Sequence, residues 1–293
     1  MKLKTIFMLL LIFPVAIFSQ KKSNKESVNA LYECVWSVKY IDDTIKMISG
    51  LEDQFILHIG DDLSYQFGRN SQQHDSLWNT LLSWDDFGNY MEERRAYMRN
   101  SNDLREDRTL RQNAFGNIKL YKNHKTKKIK VMDHIGAFEW FIYEESFVPQ
   151  IWEIQDDTTT IAGYACQKAV CDYRGRSYEA WFTSEIPISE GPWKFNGLPG
   201  LIVRLNDTKY HYEFELVEFK KSDKNIDVRI LSTNKYVMSS KTTHKLKKIE
   251  RRKLLKMQWG IQGELIKEAE MAKVGFSHKQ SFKKHDYIER DYK

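Results

Sequence analysis

The chain has 293 residues, of which 41% are hydrophobic and 13% aromatic, and its 46 Lys and Arg against 40 Asp and Glu give a formal net charge of +6. This composition is typical of a globular protein and excludes collagen-like, low-complexity and largely disordered chains. A mean hydropathy of −0.60 with one long apolar run excludes a protein with several membrane-spanning helices.

The first nineteen residues predict a secretory signal peptide. Lys2 and Lys4 precede an almost wholly apolar run, residues 6–18, and Ser19 supplies a small residue where that run ends. Because a spanning helix needs about 20 apolar residues, an N-terminal anchor is the weaker alternative. We therefore expect cleavage after Ser19, export of the chain to the periplasm, the outer membrane or the exterior, and a mature net charge of +4 once both lysines are removed.

Short β-prone segments follow the leader. Residues 33–40, 54–59 and 63–67 carry β-branched and aromatic side chains and predict consecutive antiparallel strands, with turns at Ser49-Gly50 and at residues 60–62 between them. These segments indicate that the chain begins its fold as a sheet.

The pattern changes over residues 75–98, where apolar side chains recur at a helical spacing and predict one or two helical turns interrupted near Gly88. Beyond Gly116 the strand pattern returns, and it is clearest in residues 210–216, which alternate between aromatic or aliphatic and polar side chains. About ten short strands and few helices predict a mainly β fold. We expect a curled antiparallel sheet, as a sandwich or an open barrel-like shape, with minor helices and a C-terminal basic helix.

The C-terminal part of the chain is distinguished by its charge. Residues 241–256 contain eight Lys or Arg and one acid, Glu250, and apolar residues from Ile249 onward follow a near-helical spacing. The rest of the mature chain then carries a net charge of −3. Two interpretations of this pattern are open. In the first, the basic face binds an anionic membrane surface; in the second, the apolar stripe docks on the protein and the basic face is solvated. Nucleic acid is not expected as a partner.

The chain is divided into a signal peptide (1–19), a β-rich domain (20–240) and a basic, partly helical segment (241–293).

The chain contains three cysteines, Cys34, Cys166 and Cys171. On one continuous strand, Cys166 and Cys171 would lie about 16 Å apart and point to opposite faces, so they cannot bond to each other. Export permits disulfides, and the sequence leaves open two arrangements: a bridge from Cys34 to Cys166 or Cys171, or three reduced, buried thiols. The Cys-x4-Cys spacing without a nearby His predicts no metal site, and no cofactor is expected.

Several short motifs occur in order between residues 161 and 202: IAGYACQKA at 161–169, YRGRSYEAWFT at 173–183, EIPI at 185–188, GPWKF at 191–195 and GLPGLI at 197–202. This succession resembles the GLPGLI family, secreted proteins of Bacteroidota-type bacteria. The family has no established activity. The resemblance therefore implies an exported, β-rich protein of the bacterial cell envelope, in the company of an outer-membrane receptor or another envelope protein, and implies no reaction.

The last motif also predicts local structure. Pro199 sets φ near −65° and Gly200 accepts a positive φ, which is the pair that a type II turn requires. A buried strand is then expected to start after the turn, with Trp193 and Phe195 in the core beneath the preceding loop. Ligand binding by this loop, through Trp193, is the alternative. The motif consists of Gly197, Leu198, Pro199, Gly200, Leu201 and Ile202.

Charged residues offer candidate binding groups. Arg174 and Arg176 flank Gly175 at a predicted hairpin, where they either clamp an anionic ligand or form exposed turn charges. Glu144 and Glu145 follow an aromatic strand, but adjacent strand residues point to opposite faces and do not converge on one atom. No metalloprotease, P-loop or nucleophile-elbow motif occurs, so no catalytic residues are assigned.

Three functions follow from these patterns. The first is a non-catalytic binding or interaction module of the envelope. The second is an enzyme of unrecognised mechanism that uses Glu144 or Glu145. The third is an envelope scaffold attached to an anionic membrane surface through residues 241–256. A filled interior with one exposed apolar edge favours the module, and carboxylates converging in an open pocket favour the enzyme.

Overall fold

The computed structural model describes residues 27–43, 48–49, 52–72, 75, 88–89, 92, 118–135, 139–237, 243–258 and 288–289. The predicted signal peptide lies outside the described residues, and so does most of the helix predicted over residues 75–98. The few described positions of that stretch are helical. Within the described ranges, no helix is both long and apolar enough to cross a membrane.

Strands dominate the described part of the chain, as the sequence predicts. Besides the helical positions at 69–72, 75, 88–89 and 92, the described residues contain α1 (Arg229–Thr233), between β14 and β15, and α2 (residues 251–258), after β17. The strands are β1 (Ser27–Asn29), β2 (Tyr32–Asp43), β3 (Ile48–Ser49), β4 (Asp53–Ile59), β5 (Leu63–Gly68), β6 (Lys119–Asn123), β7 (Lys128–Ile135), β8 (Glu139–Ser146), β9 (Glu153–Ile161), β10 (Tyr164–Tyr173), β11 (Arg176–Thr183), β12 (Leu201–Asp207), β13 (Tyr212–Lys221), β14 (Asn225–Asp227), β15 (Lys235–Val237), β16 (Thr243–Lys245) and β17 (Lys247–Lys248).

One large sheet contains thirteen of the described strands. Twelve follow the order β17-β8-β7-β6-β5-β4-β2-β13-β12-β11-β10-β9, and β3 pairs with β2 off this path. Neighbours on the path are antiparallel, except that β17 runs parallel to β8. Among the described residues the end strands β17 and β9 do not pair, so the sheet is open. The prediction of a mainly β fold built on a curled antiparallel sheet is confirmed.

The sheet curls until strands from both halves share one core. Trp36 on β2, Phe141 on β8, Tyr178 on β11 and Phe214 on β13 belong to a single buried cluster, although seven strands lie between β8 and β11 in the sheet. The alternation predicted over residues 210–216 holds from Tyr212 to Leu216, where buried positions of β13 alternate with exposed glutamates, but it is wrong for Tyr210, which is exposed, and for His211, which is buried.

A second apolar cluster covers the outer face of part of the sheet. Trp140 and Ile142 of β8 pack there with Ile230 of α1 and with Leu246. The remaining face of β8, with Phe141 and Tyr143, lies in the main core. Strand β8 is therefore buried on both sides.

Two tight hairpins, β9–β10 and β10–β11, set the register at the other end of the sheet. Their turns are Ala162-Gly163, with φ of 52° and 86°, and Arg174-Gly175, with φ of 51° and 81°. Positive φ at both turn positions is the mark of the type I′ hairpin, whose twist matches that of the flanking strands.

The basic segment 241–256 is not one helix, which corrects the expectation of a C-terminal basic helix over that range. Residues 243–248 contain β16 and β17, and Lys247 and Lys248 pair with the backbone of β8. The helix begins only at residue 251, where Leu254 and Leu255 turn their side chains into the protein. At Lys247 and Lys248, hydrogen bonds to β8 take the place of the hydrogen bonds that a helix would form within itself.

All three cysteines are free and buried. The structure thus shows the reduced arrangement, with three strands between β2 and β10 in the sheet order, and the Cys34–Cys166 bridge stays a prediction. Burial raises the pKa of the Cys34 thiol well above its usual range and raises that of Cys171 to about 12. Such thiols are inert at neutral pH.

Candidate functional site

Residues 184–200 connect β11 to β12, and their central part passes through the interior of the curled sheet, while the two ends reach the surface. We call them the plug loop. Every residue from 190 to 196 is buried. Buried loop backbone requires partners for its N–H and C=O groups, and strands far away in sequence supply them.

Strands β5 and β6 hold the plug loop from one side. The Trp193 backbone N–H donates to Oε1 of Gln66 at 2.7 Å. Lys122, which is 0% exposed, donates to Oε2 of Glu190 at 2.8 Å and to the carbonyl of Gly191 at 2.9 Å. Burial acts to raise the pKa of Glu190, but the charges of Lys122 and a neighbouring histidine prevail and lower it to about 2.

The segment leading into β9 holds the plug loop from the other side. The side-chain amide of Gln150 accepts from the N–H of Asn196 at 2.9 Å and donates to the carbonyl of Lys194 at 3.3 Å. The indole of Trp152 donates to the carbonyl of Asn196 at 2.8 Å. Residues 147–152 are thereby fixed against the loop.

The glycines of the GLPGLI motif permit close packing, and the predicted type II turn is wrong. Gly200 has φ of 158°, which is far from the value of about +80° at the third position of that turn. A Cβ on Gly200 would lie 2.0 Å from the carbonyl oxygen of Thr183, and one on Gly197 would lie 2.5 Å from Cβ of Pro149. Glycine is required here because two stretches of backbone approach each other.

Leu201 and Ile202 enter β12 fully buried, and Trp193 and Phe195 lie in the core, as the sequence predicts. Trp193 is 3% exposed and has φ of 58°, which is unfavourable for a bulky side chain and is held by its surroundings. The alternative in which Trp193 contacts a ligand from solvent is not supported by this burial.

A group of five ionised side chains closes the interior next to the plug loop. We call it the buried charge cluster: Glu145, Arg174, Lys194, Arg251 and Glu289. The Lys194 ammonium lies 2.5 Å from a carboxylate oxygen of Glu145 and 2.5 Å from one of Glu289. Arg174 lies 2.6 Å from the second oxygen of Glu145, and Arg251 lies 2.5 Å from the second oxygen of Glu289.

The cluster favours the charged form of Glu289. Burial acts to raise the pKa of Glu289, but Lys194, Arg174 and Arg251 prevail and lower it. Tyr143 accepts a hydrogen bond from Lys194 at 3.2 Å, and burial, followed by the charge of Glu289, raises the pKa of its hydroxyl well above the usual range. The charges of Lys194, Arg174 and Arg251 thus outweigh the effect of burial on Glu289, and the cluster is an ion-pair network.

Glu144 and Glu145 do not act together. Glu145 belongs to the buried charge cluster, whereas Glu144 reaches the opposite face of β8 and pairs with the exposed Lys128 at 2.6 Å. This is the outcome expected for neighbouring strand residues.

Arg174 and Arg176 do not converge on one ligand. Arg174 pairs inside the buried charge cluster, and Arg176 lies 2.8 Å from Oδ2 of Asp207. Arg176 is 5% exposed, so the alternative of an exposed turn charge is wrong for it. The sequence contained the relevant pattern, because Arg176 alternates in register with the buried Tyr178 and Ala180 of β11.

A groove of about 490 Å³ opens where the β9–β10 hairpin meets the plug loop. None of its lining residues carries a charge. Hydroxyl and amide groups form one part of the wall, and an aromatic ring and a proline form another. The lining includes Thr158, Thr160, Gln167, Ser184, Phe182 and Pro199.

An exposed apolar strip leads into this groove. Val148, Ile151 and Ile154 are all exposed, with Ile151 at 94%, and Ile154 also lines the groove. Gln150 and Trp152 point inward to the plug loop between them. The hydrogen bonds of Gln150 and Trp152 to the plug loop therefore hold the backbone of the strip in place, while its apolar side chains face solvent.

The fold and the site together define a class: an open, curled, mainly antiparallel sheet whose interior is filled by a motif-bearing loop. The model of a family described as "Protein of unknown function (Porph_ging)" matches residues 173–204, which run from the β10–β11 hairpin through the plug loop into β12. No curated protein matches the chain.

Among the described residues, no group of three His, Cys, Asp or Glu is placed to hold a metal ion.

Two solved structures of PNGF-II, in the C2 and P21 space groups, are similar to the chain. Each is 13% identical to it, with TM-scores of 0.47 and 0.46, over 79% and 78% of this chain. The match covers 33% of the PNGF-II chain in both cases, so this chain spans about a third of the length of those structures.

Proposed function

We propose that the chain is a GLPGLI-type exported protein of the bacterial cell envelope that binds a partner and catalyses no reaction. The observation that carries this proposal is the filled interior. The plug loop occupies the place where a curled sheet would hold a substrate, and the nearby charges pair with one another within the chain. The groove and the apolar strip are the surfaces offered to a partner.

The apolar strip is suited to binding because it is rigid before a partner arrives. Exposed aliphatic side chains at residues 148, 151 and 154 alternate with the anchored Gln150 and Trp152. Ordering a flexible segment costs free energy on binding, and a segment already fixed from below avoids that cost. Contiguous exposed apolar side chains beside a concave groove are typical of interaction sites.

The carboxylate-enzyme alternative has less support. Glu145 is shared by cations on two sides, and Glu144 lies on the opposite face of the strand. The two carboxylates thus have no common position for a substrate atom.

An anionic membrane surface is a second candidate partner. In the basic segment, Leu254 and Leu255 dock into the protein while Arg252, Lys253 and Lys256 remain exposed. The apolar side of the helix is therefore used for docking, and its charged side is presented outward, which supports electrostatic attachment rather than insertion.

Site-specific photo-crosslinking in the native bacterium tests the binding role. A photoreactive phenylalanine analogue replaces Ile154 in the tagged full-length protein, and a matched control carries it at Val217, which is 52% exposed on β13, four places from β9 in the sheet. We expect a discrete envelope protein crosslinked from position 154 and not from position 217. Crosslinks of equal pattern from both positions, or none from position 154, would overturn the proposal. Mass spectrometry of the same purified protein reads its N-terminus and tests cleavage after Ser19.

A further inference from the structure

Strand β9 ends the large sheet, and no strand of the described ranges lies along its outer edge. Among the described residues only β10 pairs with it, and seven of its nine residues are exposed. The unpaired edge of a strand presents N–H and C=O groups that another extended chain can bind.

The hairpin geometry identifies which backbone groups face outward. Ile161 and Tyr164 close a two-residue turn, so this pair exchanges hydrogen bonds between β9 and β10. Bonded and non-bonded pairs alternate along an antiparallel ladder. The N–H and C=O groups of Thr160 and Thr158 therefore point away from β10.

The other side of the same hairpin is closed by a side chain. The N–H of Ala165 faces away from β9, beyond the end of β11, and it donates to Oε1 of Glu185 at 2.8 Å. Within the described residues, no side chain closes the edge at Thr158 and Thr160 in this way. The hairpin is protected on one side and open on the other.

The charge of β9 selects the kind of chain that can bind there. The strand carries Glu153, Asp156 and Asp157 and no Lys or Arg. A second copy pairing edge to edge would bring these acids together, which is unfavourable. A basic segment would instead meet opposite charges, and a small uncharged side chain of that segment would fit the groove beside Thr160.

We propose that β9 binds an extended, basic segment of a partner polypeptide as an added strand, joined through the backbone of Thr158 and Thr160. This inference rests on the proposed binding function and names the class of partner for the same surface. Strand addition uses the backbone for affinity and alternate side chains for selectivity.

Synthetic peptides test the inference on the purified mature protein. The probe is a labelled, end-blocked peptide that alternates lysine with threonine or valine, and its counterpart has glutamate in place of lysine. Fluorescence anisotropy should show binding of the basic peptide, weakening at high salt, and at least tenfold weaker binding of the acidic one. Equal binding of the two peptides would overturn the proposal.

Two substitutions at one position separate backbone from side-chain recognition. Thr160→Pro removes the outward N–H but no hydrogen bond to β10, a placement that edge strands tolerate, whereas Thr160→Val keeps the N–H and removes only the hydroxyl. We expect at least a tenfold loss of basic-peptide binding for T160P and less than a threefold change for T160V. Wild-type binding by T160P would contradict strand addition.

Hydrogen exchange of the unmodified protein provides a measurement that does not depend on a variant. The basic peptide should slow exchange at the amides of Thr158 and Thr160, and protection elsewhere without protection of these two would overturn the inference. If no peptide protects β9 but position 154 still crosslinks a specific envelope protein, strand addition is wrong and the binding function stands. If both experiments are negative, both proposals are wrong.

Discussion

The ammonium of Lys122, on β6, lies 2.8 Å from a carboxylate oxygen of Glu190, in the plug loop, with both side chains closed off from solvent. A histidine, His124, lies 2.9 Å from the other oxygen of Glu190. Burial alone would keep Glu190 neutral, but these neighbours hold it ionised. The pair therefore links the plug loop to a strand that is 68 residues away in sequence.

Removing one partner of this pair should be far more costly than removing both. Lys122→Met leaves the carboxylate of Glu190 buried without its main counter-ion, and we expect a loss of about 3–5 kcal/mol in the free energy of unfolding. The double variant with Glu190→Gln should recover a large part of that loss. Urea unfolding of the four proteins of this cycle measures the coupling.

The control for that cycle is the exposed pair of Lys128 and Glu144, which lie 2.6 Å apart on the outer face of β7 and β8. Lys128→Met should change the free energy of unfolding by no more than about 1 kcal/mol, because solvent screens exposed ion pairs. Equal effects of the two lysine substitutions would contradict the role given to Lys122.

Gly200 should be much less replaceable than Gly163. In Gly200→Ala the new Cβ would meet the Thr183 carbonyl at 2.0 Å, and strands β11 and β12 would have to separate. We expect a loss of about 3 kcal/mol or more. Gly163 has φ of 86° with open space around it, so Gly163→Ala should cost only about 1 kcal/mol of backbone strain. Thermal unfolding of both variants tests the difference.

Asp53 should make the protein less stable as pH rises from about 4 to 6. Its Oδ1 accepts from the N–H groups of Gln54 and Asn70, and among the described residues its buried Oδ2 has no hydrogen-bond partner. Burial raises the pKa of Asp53 to about 6, against 3.8 for an ordinary aspartate. The folded state thus binds the proton more tightly than the unfolded state, and the stabilisation is lost as deprotonation proceeds.

Asp53→Asn keeps the Oδ1 acceptor and does not titrate. Its free energy of unfolding relative to wild type should therefore rise by about 3 kcal/mol between pH 4 and pH 7. The control is Asp227→Asn. Burial acts to raise the pKa of Asp227, but its hydrogen bonds to Arg229 prevail and lower it below 3.8, so D227N should show little relative change between pH 4 and pH 7, and below pH 4 a change of the sign opposite to that of D53N, because the stabilisation of wild type by Asp227 is lost there. A pH-independent difference for D53N would contradict the assignment.

The basic segment should bind anionic vesicles through charge alone. Vesicles that contain phosphatidylglycerol should sediment the mature protein at low salt and release it at high salt. Reversing Arg252, Lys253 and Lys256 to glutamate should abolish sedimentation, because these side chains are exposed. The matched control reverses Lys209 and Lys224, which are exposed outside the segment. Binding that resists salt would instead indicate insertion of apolar side chains.

The parts of the fold that follow from local pattern could be predicted from the sequence. Alternation in β13 places Tyr212, Phe214 and Leu216 inside, and the burial of Leu201 and Ile202 follows from their apolar run after the motif. The role of the glycines in the GLPGLI motif could not be predicted from the sequence. The same residue type serves a turn and a close approach of backbone, and only the position of Thr183 distinguishes them at Gly200.

The interior charges could not be predicted in the same way. Lys194 stands between Trp193 and Phe195, and Lys122 follows Leu120 and Tyr121, but no local pattern indicates which carboxylate would pair with either buried ammonium. Their partners Glu190 and Glu289 are distant along the chain. The basic segment follows the same rule, since Lys247 is in a strand only because β8 is available to pair with it.

The plug loop also constrains the order in which the protein folds. Trp193 bonds to Gln66 on one side and to Glu289 on the other, at separations of 127 and 96 residues. Contacts between such distant residues form slowly, because long stretches of chain must be brought together first. While the chain emerges from a ribosome or a translocation pore, its strands can pair, but the interior stays incomplete until Glu289 arrives. The protein therefore becomes cooperatively stable only late in folding. Until then the incomplete sheet exposes apolar surface and unpaired strand edges, which have to be protected from aggregation.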